Sequence, residues 1–131
     1  MNTTKTKPFI DASLKEANKE LHMMDKIVIV HCRFQSAGFF EEKIRIWQST
    51  YLYDDTNSNL LSELIHCENI SYYPQWTDVP PGKTFLFTLY FSGLPSDCKS
   101  FTLAEIIPEA NGFFVPNIKR NKSDVYNIII D

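Results

Sequence analysis

Three consecutive residues, His66-Cys67-Glu68, form the densest group of potential metal ligands or nucleophiles in the chain. On a strand, successive side chains point to opposite faces, so His66 and Glu68 would share a face and Cys67 would take the other. A zinc site would need two more ligands from His22, His31, Cys32 or Cys98, and no spacing typical of such sites links them. Free cysteine usually behaves as a small buried apolar residue, and that is the expectation for Cys67. A thiol or hydroxyl nucleophile needs a neighbouring base that a third group orients. Cys32 follows His31, but neighbours along a strand diverge, and Cys98 sits in the turn Pro95-Ser-Asp-Cys-Lys-Ser100 without a glycine elbow. The chain has no GxSxG, HExxH or P-loop pattern. The expectation is a non-enzymatic protein with no catalytic residue, no metal and no cofactor.

Aromatic residues carry the recognition chemistry instead. Tyr72, Tyr73, Pro74 and Trp76 fall in segment 68–84, in which Pro74, Pro80, Pro81 and Gly82 are expected to forbid regular structure. Large rings desolvate much area at low entropy cost, so they can form a recognition surface, or they can fold back as a plug over an open end. Both remain open from the sequence. Trp47 is expected outward beside Lys43 and Arg45, with packing against an amino-terminal helix as the alternative. Trp47, Tyr51, Tyr53, Tyr72, Tyr73 and Trp76 are the candidate binding residues. Lys119, Arg120 and Lys122, flanked by Asp124 and Asp131, read as a solvated turn rather than an anion site.

The elements that must position these groups are mostly strands. Thr84–Leu94 alternates Phe85, Phe87, Leu89 and Phe91 with the scarcely less apolar Leu86, Thr88 and Tyr90, which predicts a strand covered on both faces. In Lys26–Gln35, Val28, Val30, Cys32 and Phe34 share one face, and in Lys43–Gln48 Ile44 and Ile46 point inward. Leu60–Ile65 fits strand or helix by pattern, and its shortness after the polar turn Asp54–Asn59 selects strand. Phe101–Ile107 and Val125–Ile130 read as strands, and Phe113–Ile118 as irregular or a short strand broken by Pro116. A single helix is predicted from Asp11 to about His22, with Leu14, Ala17 and Leu21 on one face and Ser13-Leu-Lys-Glu16 as a capping box. About seven short strands with turn residues between them predict an all-β antiparallel sandwich over 25–131, preceded by a tail and short helix over 1–24.

The totals restrict partners. Thirteen basic and sixteen acidic side chains are interspersed, and a net charge of −3 gives no general attraction to nucleic acid. No apolar run reaches membrane-spanning length, and the amino terminus shows no secretory core behind its lysines. An odd number of widely spaced cysteines fits a reduced, cytoplasmic protein. A homodimer through the exposed edge of the carboxyl-terminal strand is a further expectation, because that strand has no obvious edge protection.

Several segments resemble small proteins common in Bacteroidota. They are Ile44-Arg-Ile-Trp-Gln-Ser-Thr-Tyr-Leu52, Leu64-Ile-His-Cys-Glu-Asn-Ile70, Pro74-Gln-Trp76, Phe85–Pro95 and Phe113-Phe-Val-Pro-Asn-Ile118. The similarity spans about residues 25 to 131. It implies an immunoglobulin-like accessory module without catalytic residues, and Cys67 stands where a small residue such as alanine is expected. The combined expectation is a protein-interaction module with an unknown protein partner. The alternative is a small-ligand protein with a pocket under the aromatic 68–84 loop.

Overall fold

Val28, Val30 and Cys32 fall on one face of a strand, and all three are buried, as period-two alternation demands. The computed structural model describes residues 26–36 and 38–130. Among them are nine strands: β1 (Val28–Gln35), β2 (Glu42–Ile44), β3 (Thr50–Asp54), β4 (Asn57–Glu68), β5 (Thr77–Val79), β6 (Thr84–Phe91), β7 (Ser100–Glu105), β8 (Phe114–Lys119) and β9 (Val125–Ile130). The helix expected from Asp11 to His22 lies outside the described residues. No helix among the described residues is long and apolar enough to cross a membrane.

Seven strands form one sheet in the order β8-β7-β3-β4-β6-β1-β9, and β2 pairs with β5 in a separate two-stranded ribbon. Every pairing between named strands is antiparallel except β1 with β9. The expectation of two stacked layers becomes a single sheet because β4 is long enough to change partners. Its first half pairs with β3 up to Glu63, and its second half pairs with β6 from Leu64 to Glu68. A register shift between Leu64 and His66 marks the change, and such bulges bend a strand and tighten its twist. The sheet therefore curls over a single core. Phe101 of β7 meets Tyr126 of β9 edge-on at 5.0 Å, so strands far apart in sheet order face one another. Leu52, Leu89, Phe91, Phe101 and Leu103 are fully buried. Each contributes about 1.5–3 kcal/mol by leaving water.

One face of this wall stays wet. Phe87, Leu89 and Phe91 point inward, but Leu86 is 57% exposed, so β6 is covered on one side only. Among the described residues no second layer lies beyond it. His31 Nδ1 and Thr88 Oγ1, 2.9 Å apart on neighbouring strands, belong to this outer surface. The 68–84 segment is also more regular than its prolines suggest, since Thr77–Val79 pairs with Glu42–Ile44 before Pro80 and Pro81 end the strand.

The two edge strands, β8 and β9, run antiparallel and approach without pairing, so the barrel is nearly closed. At one end a clasp holds them. Arg120 donates from Nε to Asp124 Oδ1 at 2.7 Å and from Nη2 to Oδ2 at 3.1 Å. Its Nη1 also donates to the Pro95 and Cys98 carbonyls at 2.8 and 3.1 Å. Tyr126 Oη donates to Asp124 at 2.8 Å, and the Asp124 carbonyl accepts from the Ile29 N–H. Arg120 is thus not the solvated turn residue expected from its charged neighbours. It is largely buried and joins the β6–β7 and β8–β9 loops.

Burial alone would push the Asp124 carboxyl up, but hydrogen bonds from Arg120 and Tyr126 outweigh it and hold the group below its ordinary 3.8. Asp124→Asn keeps the shape and a residue type that tolerates the φ of 56°, while removing the charge. Urea unfolding at neutral pH is expected to show a loss of about 3 kcal/mol, in the range for breaking a buried pair. A depressed carboxyl stabilises fully above its unfolded pKa and ceases to as pH falls through the folded one. The stability gap between wild type and this variant should therefore shrink below pH 3.8. A gap unchanged from neutral to strongly acid pH would refute the clasp.

Candidate functional site

Away from the clasp the seam opens into a pocket of about 400 Å³. Its lining includes Phe114 and Val115 of β8, Ile129 and Ile130 of β9, Phe34 of β1, and Ile44, Arg45, Trp47 and Trp76. The wall alternates, so Ile130 is buried while Ile129 and Phe114 are each 65% exposed at the rim.

Arg45 organises the aromatic side. Ile46 lies beside Tyr72, with Ile46 N–H donating to the Ser71 carbonyl and Tyr73 N–H to the Ile46 carbonyl, both at 2.8 Å. That backbone zip brings segments 45–47 and 71–76 together. The Arg45 guanidinium carbon then sits 3.7 Å from the Trp76 ring centroid and 4.6 Å from that of Tyr73. Tyr73 stacks on Trp47 at 3.8 Å. Arg45 Nη1 donates to the Pro74 carbonyl at 3.2 Å, and Nη2 lies 3.6 Å from Glu109 Oε2. A largely desolvated cation over ring faces contributes about 2 kcal/mol.

Glu105 braces the other side. It is buried, and its carboxylate accepts the Trp47 N–H at 2.9 Å and the Phe113 N–H at 3.0 Å. Burial raises its pKa, and the two backbone donors partly offset this. With an amide on each oxygen it acts as a strut between loops. Gly112 permits the arrangement, since a Cβ there would lie 2.5 Å from the Glu105 carbonyl oxygen.

The six residues singled out from sequence divide into groups. Trp47, Tyr73 and Trp76 come together around Arg45, and Trp47 and Trp76 line the pocket. Tyr72 packs half-buried against the core, and burial followed by the neighbouring Cys67 pushes its hydroxyl up to about 12. Tyr51 and Tyr53 meet edge-on at 6.1 Å on the outer face of β3, apart from the pocket lining. The aromatic segment both seals and displays: Ile70 and Val79 are buried while Tyr73 and Trp76 are exposed. Sequence reasoning passed over Phe39 and Phe40, which are 90% and 80% exposed on the β1–β2 loop. Two adjacent rings just after Gly38, outside any alternating pattern, were the available signal. The loop leaves the fold between Phe34 and Lys43, both pocket-lining residues.

His66 and Glu68 do share a face, 3.9 Å apart, with Tyr90 Oη donating to Glu68 at 2.8 Å. Cys67 turns to the opposite face and packs against the core. Among the described residues no group of three or more His, Cys, Asp and Glu side chains could hold a metal. The thiols are free, and burial pushes Cys32 up to about 12 and raises Cys67 and Cys98. Such thiols are weak nucleophiles at neutral pH. No protein-family model, curated protein or solved structure matches this chain.

Ellman's reagent at neutral pH is expected to leave Cys32 and Cys98 unmodified in the folded protein and to label all three cysteines after unfolding. Rapid labelling of Cys32 or Cys98 before unfolding would contradict their burial. Gly112→Ala should cost about 1–3 kcal/mol, the usual penalty of overpacking, measured by thermal or urea unfolding. Unchanged stability would show that Glu105 and Gly112 do not pack as described.

Proposed function

We propose that this chain is a non-enzymatic interaction module that engages a protein partner through the pocket-bearing end of the barrel. The observation that carries the reading is the concentration of exposed apolar side chains there. Trp76, Phe114 and Ile129 line the pocket, and the Phe39-Phe40 tip springs from residues that flank it. Exposed apolar side chains around a pocket are a common mark of binding sites, and tryptophan and arginine are enriched at interface centres. The sequence resemblance to immunoglobulin-like accessory modules supports the same reading. Three free, poorly reactive thiols fit a reduced compartment such as the cytoplasm.

A small-ligand role has one specific observation in its favour. The pocket, at about 400 Å³, falls within the usual range for ligand sites, and its lining combines rings with Arg45, Glu105 and Glu109. Trp76 is the one residue of the aromatic segment that reaches it.

Affinity capture with wild type and with Phe39→Ser/Phe40→Ser and Trp76→Ala variants, run in parallel, separates these readings. The interaction reading expects a protein retained by wild type and lost by both variants while their circular dichroism stays unchanged. Identical capture by all three would refute it. Thermal stabilisation of wild type, but not of Trp76→Ala, by a small metabolite would favour the ligand reading.

A further inference from the structure

The free edge of β9 is the only long stretch of uncharged strand backbone at the seam among the described residues. In a parallel ladder alternate residues turn their N–H and C=O to opposite sides. The Ile29 N–H bonds to the Asp124 carbonyl, so Tyr126, Ile128 and Ile130 serve β1 and the odd-numbered residues face the seam. The Val125 carbonyl is taken by Asn121 Nδ2 at 2.9 Å. Asn127 and Ile129 therefore direct their backbone groups toward β8, which does not pair with them. The edge of β8 is blunted by Pro116 and by a register shift at Asn117, whose φ is 56°. Proline and bulges are the usual protection of an edge strand, and β9 has neither these nor a charged side chain.

We propose that the open mouth of the seam receives an extended, uncharged segment of a partner polypeptide, which pairs with Asn127 and Ile129 as an added strand and places one bulky apolar side chain in the pocket. This rests on the interaction reading above and names the form of the partner. The charges in the lining are already balanced, Arg45 by Glu109 and Lys43 by Asp78, while Glu105 is held by two amides. A charged occupant would find no free counterpart, so a neutral one fits. Asn127 and Ile129 offer main-chain groups at the mouth, so an extended segment fits them, and a second copy pairing there is an outcome that the test below distinguishes. Added strands draw affinity from main-chain hydrogen bonds and specificity from side-chain pockets. A segment of about four residues covers the exposed edge at roughly 3.3 Å per residue.

Linear peptides selected against the protein from a random phage-displayed library provide the probe. The expected winner is uncharged over its core and carries one large apolar residue. Methylating its backbone nitrogen at alternate positions should weaken binding by at least about tenfold, as loss of ladder hydrogen bonds requires. Nuclear Overhauser contacts should link the unmodified peptide backbone to the Asn127 and Ile129 amides. A peptide that fills the pocket, tolerates methylation and lacks those contacts would overturn strand addition while leaving the interaction reading intact. Failure of any peptide to bind, or contacts at these amides that arise from self-association without peptide, would overturn the proposal as well. Unchanged capture by the Phe39/Phe40 and Trp76 variants would instead defeat the interaction reading itself.

Discussion

A curled sheet must either join its two edges or leave them apart, and here the turn 120–124, braced by one guanidinium, brings them together at one end. Arg120 sits where the β6–β7 and β8–β9 loops converge and satisfies carbonyls of the first and the carboxylate of the second. A largely buried cation of this kind is tolerable only with its partners in place, because an unpaired buried charge is very costly. The clasp therefore fixes the spacing of β8 and β9 at one end. Nothing comparable bridges them at the other end among the described residues, where apolar and aromatic side chains line a pocket instead.

The same logic operates at the mouth, with rings in place of carbonyls. Arg45 keeps its charge out of bulk water by lying over Trp76 and Tyr73, and Glu105 keeps its own by receiving two backbone amides. Both charges hold loops together. On the proposed reading, a partner would meet rings, aliphatic side chains and the backbone of Asn127 and Ile129.

Period-two alternation made the wall readable from sequence. Val28, Val30 and Cys32, then Ile44 and Ile46, then Phe87, Leu89 and Phe91, all point inward as their spacing requires. The strand at Val125–Ile130 was legible to the residue. The change of partner within β4 was not, although it left a trace. Ser62 and Leu64 point inward while the apolar Leu60, Leu61 and Ile65 are exposed, so the apolar positions of LLSELI do not follow the strand's inward face, and the pattern fitted both helix and strand. Arg45 and Arg120 were hidden for a different reason. Charge normally stays in water, so a sequence reading assigns such residues to solvent, and Arg45 finds its rings and Glu109 roughly thirty to sixty positions away. The expectation of a sandwich of short strands agreed with the all-β class but gave no hint that one long strand would join both halves of the sheet.

Amide hydrogen exchange along β9 in the free protein tests the central claim most directly. If the seam is clasped at Arg120 and open at the mouth, the Tyr126, Ile128 and Ile130 amides, bonded to β1, should exchange slowly. Those of Asn127 and Ile129 should exchange quickly, giving a strand protected at every second residue. Uniform protection from Val125 to Ile130 would mean that β8 and β9 are paired along their length, the barrel is closed, and no edge is left for a partner.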